Sequence, residues 1–144
     1  MRCEEIMKRR LCTVQSDVSV TELAQLMKTE QIGFVPVCDS EGSPLGVVTD
    51  RDIALRVCAE SLSSDTTRVS QVMTLHPVTC RPEDDLERAE DLMLEHKTRR
   101  VLVTDAAGEL VGLITLADIA QVQTPFRTAR WLRELTARRF RVEH

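Results

Sequence analysis

Aromatic side chains are nearly missing from this chain: its 144 residues hold no Tyr, one Trp and three Phe. A nucleic-acid reader built on stacking platforms needs several exposed rings, so the scarcity argues against that class. Long apolar runs are missing too, and none approaches the roughly eighteen residues that cross a bilayer. No apolar stretch follows Met-Arg-Cys-Glu-Glu at the start, so a cytoplasmic location is expected and a signal peptide is not. The five cysteines (Cys3, Cys12, Cys38, Cys58, Cys80) are odd in number and form no C-x-x-C. Most sit among apolar residues, so reduced, buried thiols are expected. His76, His96 and His144 form no cluster with them, so no metal site is expected. There is no nucleophile–base pair and no Gly-rich phosphate loop from which to build an enzyme.

What is present is an ordinary globular composition, 42% apolar and 29% charged, with an uneven charge distribution. Residues 1–125 carry 13 Lys and Arg against 21 Asp and Glu, whereas residues 126–144 carry six Arg against Glu134 and Glu143. An acidic body thus ends in a basic tail.

The chain also repeats itself. At an offset of 66 residues, Met7 falls on Met73, Thr13 on Thr79, Leu26-Met27 on Leu92-Met93, and Val35 and Val37 on Val101 and Val103. Asp39, Gly42, Gly46 and Thr49 fall on Asp105, Gly108, Gly112 and Thr115, and Asp52-Ile53-Ala54 falls on Asp118-Ile119-Ala120, all without a gap. Each copy has the same grammar. A short extended piece (Cys12 to Val14, Val78 to Cys80) precedes an amphipathic helix. In copy one, Ser19-x-x-Glu22 resembles a capping box before Val20, Leu23, Ala24 and Met27. In copy two, Glu83, Asp84 and Asp85 precede Leu86, Ala89 and Met93, as charges suited to a helix N-terminus. Two strands follow, Phe34 to Cys38 and Leu45 to Val48, then Val101 to Thr104 and Leu110 to Ile114. Gly42 and Gly108 supply the positive-φ turn positions. A second helix opens at Thr49 or Thr115. The order is β-α-β-β-α, twice. A unit of about fifty residues buries too little apolar surface to stand alone, so the two copies should pack as a pseudo-twofold pair.

The strings VPVCDSEGSPLGVVTDRDIA and VLVTDAAGELVGLITLADIA, each behind an amphipathic helix, resemble CBS motifs, the cystathionine beta-synthase-type domain. Two in tandem resemble a CBS pair, or Bateman module, of the small stand-alone bacterial type. The expected organisation is an α/β fold with CBS repeat 1 at residues 1–60, a connection at 61–71, CBS repeat 2 at 72–122 and a basic helical tail at 123–144. The resemblance implies a non-catalytic regulatory module. It would bind an adenosine-containing ligand (AMP, ADP, ATP, NAD or S-adenosylmethionine) in the cleft between the repeats. The alternative is a ligand-free scaffold for protein–protein interaction or dimerisation.

In that family, Gly-h-h-[Ser/Thr]-x-x-[Asp/Asn] carries the nucleotide contacts. By analogy Asp52 and Asp118 would hold ribose hydroxyls, and Thr49 and Thr115 a phosphate. A carboxylate accepts two O–H bonds, and hydroxyl and N–H groups at a helix start suit an anion. The same Thr-x-x-Asp spacing is also that of a helix cap, and the two roles are compatible. The resemblance further assigns Arg99 and Arg100 to the phosphates of the ligand on Thr49 and Asp52. Their counterparts, Gly33 and Phe34, carry no charge, so the sites should be unequal, the Asp52 site favouring phosphorylated ligands. Leu102 stands where copy one has Pro36, and Leu116-Ala117 where it has Asp50-Arg51. Without the resemblance, Arg99-Arg100 reads equally as a solvated pair at a strand start. Thr13 and Thr79 lie in the segments that line the adenine slot in the family, and they fit equally well in ordinary strands.

Thr124-Pro125 reads as an N-cap and first helical turn, after which Trp131, Leu132 and Leu135 recur at helical spacing among arginines. That helix is expected to pack Trp131 and Leu135 on its own body or on a second copy. A homodimer and an unnamed protein target are the expected macromolecular partners. Nucleic acid and membrane are not.

Overall fold

The computed structural model describes residues 1–137; the last part of the basic tail, including Phe140 and Val142-Glu143-His144, lies outside them. Ser19 ends an extended stretch and its Oγ accepts the Glu22 N–H at 3.1 Å, which starts α1, Val20–Glu30. Val20, Leu23 and Met27 form the buried stripe of this helix, and Gln31 closes it at φ 54°. The sibling helix of copy two (α4, Leu86–His96) closes in the same way on Lys97, at φ 52°. Both C-terminal residues take the left-handed conformation without a glycine.

β1, Phe34–Cys38, and β2, Pro44–Thr49, pair antiparallel, and Gly42 turns the chain at φ +85°. Asp39 Oδ1 accepts the N–H groups of Glu41 and Ser43, both at 2.9 Å, so the carboxylate supplies the turn's hydrogen bonds. α2, Asp50–Ile53, runs on into a π-helical turn, Ala54–Cys58. In copy two, β5, Arg100–Thr104, lies beside β6, Leu110–Thr115, with Gly108 at φ +82°, and α5 covers Leu116–Val122. β4, Thr79–Cys80, runs parallel to β5, with Thr79 opposite Leu102 and Cys80 opposite Val103. Copy one keeps only a trace of that pairing, a parallel bridge from Val14 to Val37.

The compact units do not follow the order of the chain. One comprises Leu11–Pro77 with Ala107–Leu110; the other comprises Met1–Arg10, Val78–Ala106 and the chain from Val111 on. Each unit therefore contains the body of one repeat and the leading segment of the other. In the first-repeat unit, α3, Val69–Val72, and β3, Thr74–Leu75, come from the leading segment of copy two, and β3 extends the sheet to the order β1-β2-β3. Thr74 sits opposite Val47. In the second-repeat unit the leading segment of copy one takes the same place, and Lys8 bridges Leu113.

The correspondence extends to single hydrogen bonds. Val20 N donates to Thr67 O and Leu86 N to Met1 O, both at 2.9 Å. Val69 N donates to Val18 O and Cys3 N to Asp84 O, again at 2.9 Å. Every one of these pairs is related by the 66-residue offset.

Close approach explains two glycines. A Cβ on Gly46 would stand 2.5 Å from Thr74 O, and one on Gly112 would stand 2.6 Å from Met7 Sδ. The glycine of each repeat motif makes room for the other repeat's leading segment.

Each unit has its own core. Val20, Leu23, Val35, Val37, Val48, Val57, Val69 and Val72 fill the first-repeat unit. Cys3, Met7, Leu86, Met93, Val101, Val103, Ile114 and Ile119 fill the other, together with Trp131. Trp131 belongs to α6, Pro125–Thr136, which Thr124 caps through its Oγ1. Glu90 of α4, itself buried, fastens this helix: it accepts from Gln123 and Arg127 through its carboxylate and from Trp131 Nε1 through its carbonyl. The expected packing of Trp131 is thus made on the chain's own body. No described helix is long and apolar enough to cross a membrane.

Candidate functional site

The four Thr and Asp residues expected to touch a ligand form two matching constructions. Thr49 is the N-cap of α2: its Oγ1 accepts the Asp52 N–H at 3.2 Å, and Asp52 Oδ2 accepts the Thr49 N–H at 2.9 Å. Thr115 and Asp118 repeat this at the start of α5, at 3.2 and 2.8 Å, and Thr115 Oγ1 also donates to Asp118 Oδ2 at 2.8 Å. Both are reciprocal capping boxes, each satisfying two backbone donors that a helix start leaves without partners.

The capping uses one carboxylate oxygen of each Asp. The other, Oδ1, faces a cation. Arg56 Nε lies 3.8 Å from Asp52 Oδ1, and Lys8 Nζ lies 3.4 Å from Asp118 Oδ1, with each Asp side chain 16% exposed. The two cations arrive by different routes. Arg56 is one turn further along the same helical stretch, and its Nη1 also donates to Val72 O at 2.8 Å. Lys8 comes from the leading segment of the other repeat. Their siblings at the 66-residue offset are Val122 and Thr74, so each unit carries its cation at a position where the other has none. The sequence reading missed both. The i,i+4 spacing of Asp52 and Arg56 was a usable signal, whereas Lys8 lies 110 residues from Asp118 and has none.

Arg99 and Arg100 are both exposed at the start of β5. The Arg99 carbonyl accepts the Leu116 N–H at 2.9 Å, which places the Arg99 backbone beside the Thr115–Asp118 box of its own unit. In the sibling position the Gly33 carbonyl accepts the Asp50 N–H at 3.0 Å, and a Cβ on Gly33 would stand 2.6 Å from Asp50 Oδ2. Copy two is thus more positive than copy one at both places: Arg99 stands where Gly33 is neutral, and neutral Leu116 where Asp50 is negative. Thr13 and Thr79 are exposed in equivalent places, next to Val14 and Cys80. Neither is joined to a Thr–Asp box by any hydrogen bond described.

The family model for the CBS domain matches this chain twice, at residues 3–58 and 69–124. The chain belongs to the CBS-domain family. It is a CBS pair of mixed α/β fold, with a three-stranded sheet in each unit. The CBS domain-containing protein YhcV of Bacillus subtilis is 38% identical to it over 117 residues, 81% of each chain. Among solved CBS-pair structures, that of Hypoxic Response Protein I with two coordinated zinc ions is 28% identical at a TM-score of 0.78, and covers 86% of this chain and 100% of that one. The structure of CBSX2 in complex with AMP is also 28% identical, at a TM-score of 0.71 over 83% and 93% of the two chains. Among the described residues of this CBS pair, no group of three or more His, Cys, Asp or Glu could hold a metal.

Proposed function

We propose that this CBS pair is a non-catalytic regulatory module of the cytoplasm that binds an adenosine-containing ligand, with Asp52 and Asp118 holding the ribose hydroxyls. One observation carries the reading. In both repeats the capping box takes only Oδ2, so Oδ1 of a partly exposed carboxylate, beside a single cation, can accept further hydrogen bonds. Family membership and the AMP complex of CBSX2 support adenosine as the recognised part. AMP, ADP, ATP, NAD and S-adenosylmethionine remain the candidate ligands.

Thr49 and Thr115 are proposed as phosphate contacts, and Arg99 and Arg100 as the added positive charge for the ligand on Thr49 and Asp52. Thr13 and Thr79 are proposed to border the adenine. The proposed organisation is repeats at 1–60 and 72–122, a connection at 61–71 and a tail at 123–144, in a chain that works as a homodimer with a separate protein target.

A second reading, a ligand-free interaction scaffold, is favoured by the capping boxes themselves, which give Thr and Asp a complete structural role. Melting temperatures measured with millimolar AMP, ADP, ATP, NAD and S-adenosylmethionine separate the two. A ligand that binds the folded state stabilises it by RT ln(1 + [L]/Kd), so micromolar affinity gives a clear upward shift. A shift with one of the five supports the sensor; no shift with any supports the scaffold.

A further inference from the structure

Two of the five thiols face each other in the core of the second-repeat unit. Cys3 on the leading segment and Cys80 on β4 stand 3.8 Å apart, Sγ to Sγ, and are 0% and 5% exposed. The Cys80 thiol donates to Cys3 Sγ, and the Cys3 thiol reaches the Asp85 carbonyl at 3.7 Å. Packing alone does not ask for sulfur here. At the 66-residue offset the sibling positions are Val69 and Val14; Val69 is fully buried and Val14 packs on the same core. Valine therefore meets the packing need in one unit, and only the other places two thiols in contact.

We propose that Cys3 and Cys80 are a two-electron redox pair that closes to a disulfide under hydrogen peroxide and fastens the leading segment to β4. A disulfide needs about 2.0 Å between sulfurs, so about 1.8 Å remains to be closed. The Cys3 sulfur attacks the peroxide; the O–O bond breaks, a sulfenic acid forms and the first water leaves. The Cys80 sulfur then attacks the Cys3 sulfur; the S–S bond forms, the S–O bond breaks and the second water leaves. Both thiol protons end in the two waters. The thiols lose two electrons and the peroxide gains them.

The order of attack follows the hydrogen bond. The bond donated by Cys80 holds the Cys3 thiol below its ordinary pKa, against the opposing effect of burial, and the same bond raises that of Cys80. Cys3 is thus the better nucleophile and Cys80 the resolving thiol. The bond would join residues 77 apart in sequence. It would tether the segment that carries Met7 against Gly112 and Lys8 against Asp118.

The test is treatment of the whole chain with hydrogen peroxide, alkylation of the remaining thiols and mass spectrometry. The expected result is loss of two of the five free thiols and a cross-linked peptide pair containing Cys3 and Cys80. That pair is lighter by two hydrogens, is released by dithiothreitol, and accompanies a higher melting temperature. The double variant Cys3→Val/Cys80→Val should fold, since the sibling unit has Val at both places, and should show no melting shift with peroxide. Five free thiols after treatment, a cross-link between any other pair, or oxidation of Cys3 or Cys80 to sulfinic acid without a cross-link would overturn the proposal.

Discussion

Thr49, Asp52, Thr115 and Asp118 each serve a helix start before they serve anything else, and that sets what their substitution does to stability. Thr49→Ala or Thr115→Ala removes one cap and should lower stability by about 1 kcal/mol in a urea titration. Cys38 makes a different claim. Burial, and then Asp39, raise its thiol pKa above the ordinary 9.0. The folded state therefore keeps the proton that the unfolded chain releases. The stability this gives is fully present below pH 9.0 and is lost as pH rises towards the folded-state value. Cys38→Val should flatten part of the fall in melting temperature above that pH; an unchanged slope would refute the assignment. At this scale the sequence was informative, because the duplicated Thr-x-x-Asp is a local pattern and the structure turns it into two matching boxes. What stayed hidden was the partner of each spare carboxylate oxygen, above all Lys8, which only tertiary structure brings to Asp118.

Helices and hairpins were legible for the same reason: caps, Gly turns and apolar spacing act over a few residues. The hairpin β1–β2 follows from such signals, whereas the left-handed helix ends at Gln31 and Lys97 carry no glycine to announce them. β3 was not legible, because a two-residue strand made of Thr74 and Leu75 has no period to detect. Its trace in the sequence is the glycine it displaces a side chain from. Gly46→Ala would press a Cβ against a backbone carbonyl, whereas Gly112→Ala would meet the flexible end of Met7. Both should destabilise, Gly112→Ala by about 1–3 kcal/mol as overpacking and Gly46→Ala by more. Met7→Ala should ease the first, while Met73→Ala should leave the second nearly untouched, as denaturation of the double variants would show. The tail helix rests on Glu90, whose sibling in copy one is Ala24, so only copy two can hold it. Glu90→Ala should release α6, costing about 1–3 kcal/mol given the partial exposure of Arg127. The emission of Trp131, the single tryptophan, should shift to the red as it meets water.

The whole molecule is a duplicated chain whose leading segments are exchanged between its two units. Self-comparison of the sequence revealed the duplication, but exchange leaves no local mark, since a segment that pairs with a distant strand looks like one that pairs with its own. Exchange explains why ten N-terminal residues supply Met7 and Cys3 to the second-repeat core and place a lysine beside one of the two capping carboxylates. The central claim is that those carboxylates hold an adenosine ligand while their other oxygens cap helices. The most direct test is calorimetric titration of whichever of the five candidate ligands raises the melting temperature into the wild-type chain, Asp52→Ala and Asp118→Ala, each shown by circular dichroism to be folded. The account predicts measurable binding to the wild type and at least a tenfold loss, about 1.4 kcal/mol, in Asp52→Ala. Equal affinity in all three chains would contradict it.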